Sequence, residues 1–304
     1  MSGLPAAVVA GPVPDAVVVL VAVVWGVVTG ALLPRAVYRF AVPTGEAWQD
    51  RCPEGHPLRG WLGRARCGQC APRGEGVPGG ERAPRGEDTG REEAAGCEEG
   101  TGHGEEVPRG DGKRGAVKRA AGTAYGTGPV APAAVTALVC AALAAAAGTR
   151  PELAVWLLLA PVGVLLAVVD FRVQRLPDPL TLPFAAAALA LLGVVALVPE
   201  HAGTWTTALL GALALGAGYF VLFLINPAGM GFGDVKLALG AGAVLGWYGW
   251  PTVMLGTFAG FLFGALYGGA LVVARRAGRG TAIPFGPFLI AGAFAGLLIG
   301  AYTA

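Results

Sequence analysis

The chain has 304 residues, of which 54% are hydrophobic and 14% charged, and its formal net charge is +2. Between positions 73 and 119 there are 11 acidic and 9 basic side chains, nearly half of all the charged residues. Without that stretch the composition is typical of a polytopic membrane protein. The small net charge gives no indication of nucleic-acid binding, and the five unevenly spaced cysteines argue against a disulfide scaffold.

Hydropathy predicts eight membrane spans, and therefore an all-α, polytopic membrane protein. In chain order the spans cover about residues 16–33, 130–148, 153–169, 180–198, 204–225, 235–247, 252–274 and 283–302. The N-terminal sequence lacks the basic region of a secretory signal, so we expect the first span to remain as a membrane anchor. The sixth span is short and rich in glycine, which makes its ends hard to place.

The arginines and lysines predict the orientation of these spans. If the spans alternate in direction, one set of loops holds nearly all of the basic residues near the membrane, among them Arg35, Arg172, Arg175 and Lys236. The opposite set holds Arg150 alone, apart from the termini. Short cytoplasmic loops carry the excess of positive charge. We therefore expect both termini outside and the long loop after the first span in the cytoplasm.

Four regions follow from this pattern. Residues 1–39 contain the first span, and residues 40–70 form a small cytoplasmic region with aromatic and cysteine residues. Residues 71–128 are Gly, Glu, Arg and Pro with few large apolar side chains, so we predict a disordered linker that acts as a solvated spacer. Residues 129–304 contain the remaining seven spans and form the main membrane domain.

Three acidic residues stand at the predicted cytoplasmic ends of spans. Only five acids follow position 130, and two of them, Glu152 and Glu200, fall in predicted outer loops, where they need no special explanation. Asp170 ends the third span, Asp178 begins the fourth and Asp234 precedes the sixth. Neighbouring spans that end at the same membrane face can bring such side chains into one pocket.

Two carboxyl groups a few ångströms apart can share a single proton, so that one activates a water and the other protonates an amide leaving group. The glycines at 231 and 233 fit such a site, because they let the backbone bend and a substrate strand approach Asp234. The alternative is structural: each acid caps a helix or pairs with a basic side chain. That alternative is strongest for Asp178 at a helix start and weaker for Asp170, which opposes the helix dipole.

Several stretches resemble the type IV prepilin peptidases, which are GxGD-type membrane aspartic proteases. "GFGD" at 231–234 matches the GxGD signature, and "DFRVQRLPDPLTLP" from Asp170 resembles the family pattern of an Asp followed by "LPD". "IPFGPFLIAGA" at 283–293 resembles a segment near the family's C-terminus, and "YRFAVP" after the first span is a weaker match. The resemblance covers residues 130–304 well and 16–70 loosely.

The resemblance implies an enzyme that removes the leader peptide of prepilin-like proteins, as used in type IV pili and protein secretion, at the cytoplasmic face of the inner or plasma membrane. Asp170 and Asp234 would be the catalytic pair, Asp178 a supporting acid, and Gly231 and Gly233 the residues that shape the active-site loop. Its partners would be prepilin or pseudopilin substrates and the lipid bilayer. The peptidase step needs no cofactor. For Lys236 we favour a role as a plain positive anchor at the membrane surface over a functional role. The sequence does not indicate an oligomeric state.

The segment "RCPEGHPLRGWLGRARCGQC" contains four candidate zinc ligands, Cys52, His56, Cys67 and Cys70. Cys67 and Cys70 form a CxxC pair, but Gly55 occupies the position expected for the second cysteine of the first pair. His56 offers a fourth ligand, so a Cys3His structural zinc site and a degenerate motif without metal both remain open. The resembling peptidases often carry two CxxC pairs in this region.

Methyl transfer, transport and pilin assembly without catalysis are further hypotheses for this chain. Many of the resembling enzymes also methylate the new N-terminus with S-adenosylmethionine, but the altered cysteine motif and the absence of a polar "NIP…S" stretch argue against methylation here. A transporter that uses acids at the membrane interface is an alternative function, although no span carries an acid near its centre. An inactive pilin-assembly factor is a third hypothesis, and the presence of both aspartates argues against it.

Overall fold

The computed structural model describes residues 15–43, 45–70, 125–126, 128–227, 229–275 and 284–304. Its regular structure consists of eight α-helices within these ranges, and the one β-contact there is an isolated bridge between Arg51 and Pro57. The helices are α1 (Asp15–Phe40), α2 (Val130–Ala147), α3 (Glu152–Val173), α4 (Asp178–Val195), α5 (Trp205–Ile225), α6 (Phe232–Gly246), α7 (Trp250–Val273) and α8 (Gly286–Thr303). The predicted linker of residues 71–128 lies almost wholly outside the described residues.

Seven of the eight helices are long and apolar enough to cross a membrane, and α6 is the exception. With 15 residues it extends only about 22 Å, less than the roughly 30 Å of a hydrocarbon core. The helices α1 and α7 leave many large apolar side chains on their outer surfaces, as expected for helices in contact with lipid. These observations confirm the prediction of an all-α, polytopic membrane protein with eight helices in the described part of the chain.

Helix α6 is the centre of the bundle and packs against α4, α5, α7 and α8. Most of its surface is covered by neighbouring helices, and the many glycine and alanine residues of α6 allow those helices to come close. A Cβ atom on Gly242 would lie 2.3 Å from the carbonyl oxygen of Gly211 in α5, so the two backbones touch at this point. Close contact of backbones through small residues is the usual way in which membrane helices associate.

Two tight connections place the ends of α3 and α6 side by side. Helix α3 ends at Val173, since Gln174 adopts a left-handed backbone conformation with φ of 50°. Helix α4 begins at Asp178, directly after Pro177. The N-cap of α6, Gly231, has an extended backbone. The end of α3 and the starts of α4, α6 and α8 therefore gather at one end of the bundle, where the candidate site lies.

Candidate active site

Asp170 lies in the last turn of α3 and is only 4% exposed. Its carboxylate accepts a hydrogen bond from the backbone N–H of Gly286, the first residue of α8. Its Oδ2 atom is buried and has no hydrogen-bond partner among the described residues. A buried carboxylate oxygen without a partner is costly in free energy. Such an atom is therefore a candidate for contact with a reacting group.

Asp234 lies in the first turn of α6 and is 7% exposed. Its Oδ2 accepts a hydrogen bond of 3.2 Å from the N–H of Gly231, and its own N–H donates to the carbonyl of Gly231 at 3.0 Å. The carboxylate thus also caps its helix, as the structural alternative anticipated. Capping fixes the orientation of Asp234 at the start of α6 and leaves the carboxyl group at the edge of a cavity.

The two glycines of the "GFGD" stretch differ in what they allow. A Cβ atom at Gly233 would lie 2.8 Å from Cβ of Leu176, so glycine lets the first turn of α6 pack against the α3–α4 connection. At Gly231 the nearest atom to such a Cβ would be Oδ2 of Asp234 at 3.6 Å, which is an ordinary contact. Neither glycine has a positive φ. Close packing at Gly233, and not a left-handed turn, is therefore the steric demand of this loop.

Asp170 and Asp234 line the same cavity, although 63 residues separate them in the chain. The cavity measures about 400 Å³. The two carboxyl groups are close enough for the charge of Asp170 to act on Asp234. The remaining walls come from the α3–α4 turn, the α5–α6 loop and the residues before α8, namely 174–176, 227, 229–233 and 284–285. The cavity is thus a polar chamber at the end of an apolar bundle.

Asp178 does not line this cavity. Its Oδ1 atom forms an ion pair of 2.7 Å with Nζ of Lys236, and 63% of its side chain is exposed. Lys236 is largely covered and also lies 4.9 Å from the ring centre of Phe232. The lysine therefore links the start of α4 to the first turn of α6. This contact within the protein differs from the role of a plain surface anchor predicted from the sequence.

The sequence profile of the type IV leader peptidase family matches residues 157–269, a range that includes Asp170, Asp178 and the "GFGD" stretch. Over these residues the chain is therefore similar to a type IV leader peptidase domain. Prepilin leader peptidase/N-methyltransferases are similar to it: that of Aeromonas salmonicida is 37% identical over 152 residues, or 47% of this chain and 48% of the relative. Those of Pseudomonas aeruginosa and Bacillus subtilis are 34% and 35% identical, covering 44% and 54% of this chain and 46% and 64% of the relatives.

The chain spans about half the length of the curated relatives it matches first. No solved structure is significantly similar to it. Gly286 and the cysteine-containing segment lie outside the matched range of the leader peptidase domain. The sequence match therefore gives no information about their contacts with residues 157–269, which come from the structure.

Arg175 connects the cavity of the candidate active site to the segment that follows α1. It lines the cavity, and its Nη1 atom donates hydrogen bonds to the carbonyl oxygens of Pro43 at 2.8 Å and Glu46 at 3.4 Å. Its guanidinium also lies 4.4 Å from the ring centre of Trp48. A guanidinium on an aromatic face gains a cation–π interaction. This side chain therefore holds Pro43, Glu46 and Trp48 against the edge of the candidate active site.

Two arginines of α1 hold the rest of this small region through its backbone. Arg35 donates to the carbonyls of Arg59 at 2.8 Å and Arg64 at 3.3 Å. Arg39 donates to the carbonyl of Gly60 at 2.9 Å and lies 4.0 Å from the ring centre of Trp61. From the sequence, these two arginines are simply positive charges near the membrane. In the structure they position an irregular segment that forms no helix in its described residues.

The structure brings Cys52, His56, Cys67 and Cys70 together, with their candidate ligand atoms within 4.8 Å of one another. Gly55 has a φ of 84°, and its N–H donates to the carbonyl of Cys52 at 2.8 Å. This left-handed turn places His56 beside Cys52, with 3.6 Å between Nδ1 and Sγ. Three thiols and one imidazole match the donors of a structural zinc site. The residues present therefore fit such an ion, which would cross-link the segment.

One interpretation of the acids was wrong. Glu152 is not a loop residue that needs no explanation, because it is fully buried in the first turn of α3. Its Oε1 atom accepts a hydrogen bond of 3.3 Å from the hydroxyl of Tyr248, which in turn accepts one from the indole N–H of Trp156 at 3.3 Å. The N–H of Ala202 approaches the same Oε1 at 3.4 Å. This polar cluster joins α3 to the α4–α5 and α6–α7 connections at the end of the bundle opposite Asp234.

Sequence reasoning missed two residues beside the cavity. Gly286 lies in the "IPFGPFLIAGA" stretch, but nothing in that pattern shows which residue it would meet. A Cβ atom on Gly286 would lie 2.7 Å from Oδ2 of Asp170. Tyr219 lies in the middle of an apolar run in α5, where its buried hydroxyl gives no periodic signal.

Proposed function

We propose that the chain is a membrane aspartic endopeptidase that cleaves the leader peptide of prepilin-like proteins at the cytoplasmic face of the membrane. The observation that carries the proposal is the convergence of two buried carboxyl groups, Asp170 and Asp234, on one cavity. Both lie within the range that matches the leader peptidase family. The similar proteins are named prepilin leader peptidases, and the activity is extended to this chain on that basis.

The proposed mechanism needs only the two aspartates and a water. The ionised carboxylate takes a proton from the water, whose oxygen forms a bond to the carbonyl carbon of the scissile peptide. The π electrons of the carbonyl move to its oxygen, which receives the proton held by the other carboxyl group. When the C–N bond breaks, the nitrogen takes up a proton from the carboxyl that served as base, and the hydroxyl proton of the intermediate returns to the pair.

Charge and burial support this use of the site. Water and a peptide can enter a polar chamber of about 400 Å³ that is otherwise surrounded by apolar helices. Surrounding the carboxyl groups with protein strengthens their interaction with developing charge, since fewer water molecules screen it. We assign Asp178 a supporting role through its ion pair with Lys236, because that pair fixes the start of α6. Gly231 and Gly233 would shape the loop that carries Asp234.

We further propose the topology and domain organisation predicted from the charges: both termini outside, the active site on the cytoplasmic side, and a seven-helix peptidase domain over 129–304. Residues 40–70 would form a small region cross-linked by zinc at Cys52, His56, Cys67 and Cys70. Zinc would stabilise that region and take no part in hydrolysis. The proposal is limited to the peptidase activity. We expect no methyl transfer from S-adenosylmethionine, which mass measurement of the cleaved N-terminus would test.

Cleavage of a prepilin in membranes tests the proposal, with the Asp170→Asn and Asp234→Asn variants beside the wild type. Asparagine keeps the shape of the side chain and removes its acid–base function, so cleavage should fall by at least roughly 10²-fold in each variant. Glu200→Gln is the control, since Glu200 is an exposed acid outside the cavity. Near wild-type cleavage by either Asp variant at normal protein level would refute the proposal and favour a transporter or an assembly factor.

A further inference from the structure

Tyr219 carries a hydroxyl group that the described structure does not satisfy. The residue lies in α5 and is 2% exposed, and its hydroxyl oxygen is buried without a hydrogen-bond partner among the described residues. Leaving a buried hydroxyl unpaired is unfavourable, because the group loses its hydrogen bond to water on folding and gains none. Phenylalanine would fill nearly the same space without that cost. The hydroxyl therefore calls for an explanation other than packing.

The ring of Tyr219 packs against the wall of the active-site cavity. Its ring packs at a centroid distance of 5.8 Å against Phe285, which lines the active-site cavity directly before Gly286. It shares one apolar cluster with Leu176, another residue of the cavity wall, and with Val235, the neighbour of Asp234. The charge of Asp234 acts electrostatically on the tyrosine hydroxyl.

Of the two aspartates, Asp234 is the one whose charge acts on this hydroxyl, and it is the acceptor that we consider. The other side chains of the apolar cluster carry no oxygen, and the carboxylate of Asp234 accepts a hydrogen bond from the N–H of Gly231. A carboxylate accepts several hydrogen bonds, so capacity remains for a second donor. Hydrogen bonds at catalytic groups are often long or absent before substrate binds and shorten in the substrate complex.

We propose that Tyr219 is a positioning residue of the peptidase, whose hydroxyl donates a hydrogen bond to Asp234 when substrate occupies the cavity. No proton is transferred in this contact. The second hydrogen bond holds the carboxyl group in the orientation needed to exchange a proton with the water or the peptide. This inference rests on the proposed peptidase function and adds to it a residue outside the aspartate motifs.

The test compares Tyr219→Phe with Tyr248→Phe. Tyr219 is buried and Tyr248 is half-buried, and we expect opposite results from the two variants. Tyr248 lies past the end of α6, about 21 Å along the helix from Asp234, and its hydroxyl already bonds to Glu152 and Trp156. Removing the Tyr219 hydroxyl should lower kcat for prepilin cleavage roughly 10- to 100-fold, with KM near that of the wild type. Its melting temperature should stay equal to that of the wild type or rise, since an unpaired group is removed.

Tyr248→Phe should show the reverse pattern, a lower melting temperature with an unchanged kcat. If Tyr219→Phe cleaves at the wild-type kcat, the positioning role is refuted. A loss of kcat matched by a loss of thermal stability would also overturn it, because a packing role explains both. If the Asp170→Asn and Asp234→Asn variants are inactive while Tyr219→Phe is fully active, this inference fails and the proposed function stands. If the Asp variants remain active, the proposed function itself fails.

Discussion

Replacing Gly286 by alanine is the change to which the aspartate pair should be most sensitive. The added Cβ would lie 2.7 Å from Oδ2 and 3.2 Å from Cγ of Asp170, and 3.4 Å from Cδ1 of Leu176. Since nonbonded carbon and oxygen atoms need well over 3 Å, the carboxyl group must move by about 0.5 Å or more. Its hydrogen bond to the N–H of residue 286 would be distorted by the same movement.

A displacement of this size should affect chemistry more than folding. Overpacking typically costs about 1–3 kcal/mol of stability, and the carboxyl group can relieve part of it by turning into the cavity. A shift of about 1 Å in a reacting group can lower the rate roughly 10²-fold. We therefore expect Gly286→Ala to lower kcat by roughly 10- to 100-fold while the folded protein still accumulates.

Two other glycine variants separate this effect from general damage to helix packing. The assay is prepilin cleavage at saturating substrate, together with thermal unfolding of the solubilised protein. A Cβ on Gly218 meets nothing within 4 Å, so Gly218→Ala should keep both kcat and stability. A Cβ on Gly292 would lie 2.3 Å from the backbone nitrogen of Gly260, so Gly292→Ala should lose stability first. A kcat of Gly286→Ala within about twofold of the wild-type value would refute a steric effect of this position on Asp170.

Three further predictions concern the residues around the cavity. Asp178→Asn should lower cleavage less than tenfold, because this carboxylate is outside the cavity and pairs with Lys236; a loss as large as that of Asp170→Asn would make Asp178 a third catalytic acid. Cys67→Ser should release zinc in metal analysis and lower the melting temperature, whereas Cys97→Ser should do neither; purified wild type without zinc would contradict the metal site. Glu152→Ala should destabilise the protein by about 1–3 kcal/mol without changing kcat, since it removes the acceptor of Tyr248, and an unchanged melting temperature would speak against a structural role of this buried cluster.

The sequence by itself determined which segments are helices in the membrane. Transfer of a side chain from water to lipid is a property of that residue and its near neighbours, so a window of apolar residues suffices to locate a span. The same reasoning selected Asp170, Asp178 and Asp234, because an acid at the end of an apolar run is costly wherever the run packs. The resemblance to the prepilin peptidases then singled out Asp170 and Asp234 as the pair. The candidate zinc ligands were likewise available from spacing, with His56 standing in for a missing cysteine.

Only the tertiary structure decided which of these groups meet. Glu152 was assigned to an outer loop because hydropathy is averaged over neighbouring residues, and this acid lies between two apolar runs. Its burial depends on contacts with residues such as Tyr248, nearly one hundred positions later. The contacts of Asp170 with Gly286 and of Tyr219 with the cavity wall join helices that are distant in sequence. Such contacts depend on how close two backbones come, and that distance is set by packing of all eight helices together. Local apolarity alone carries no information about it.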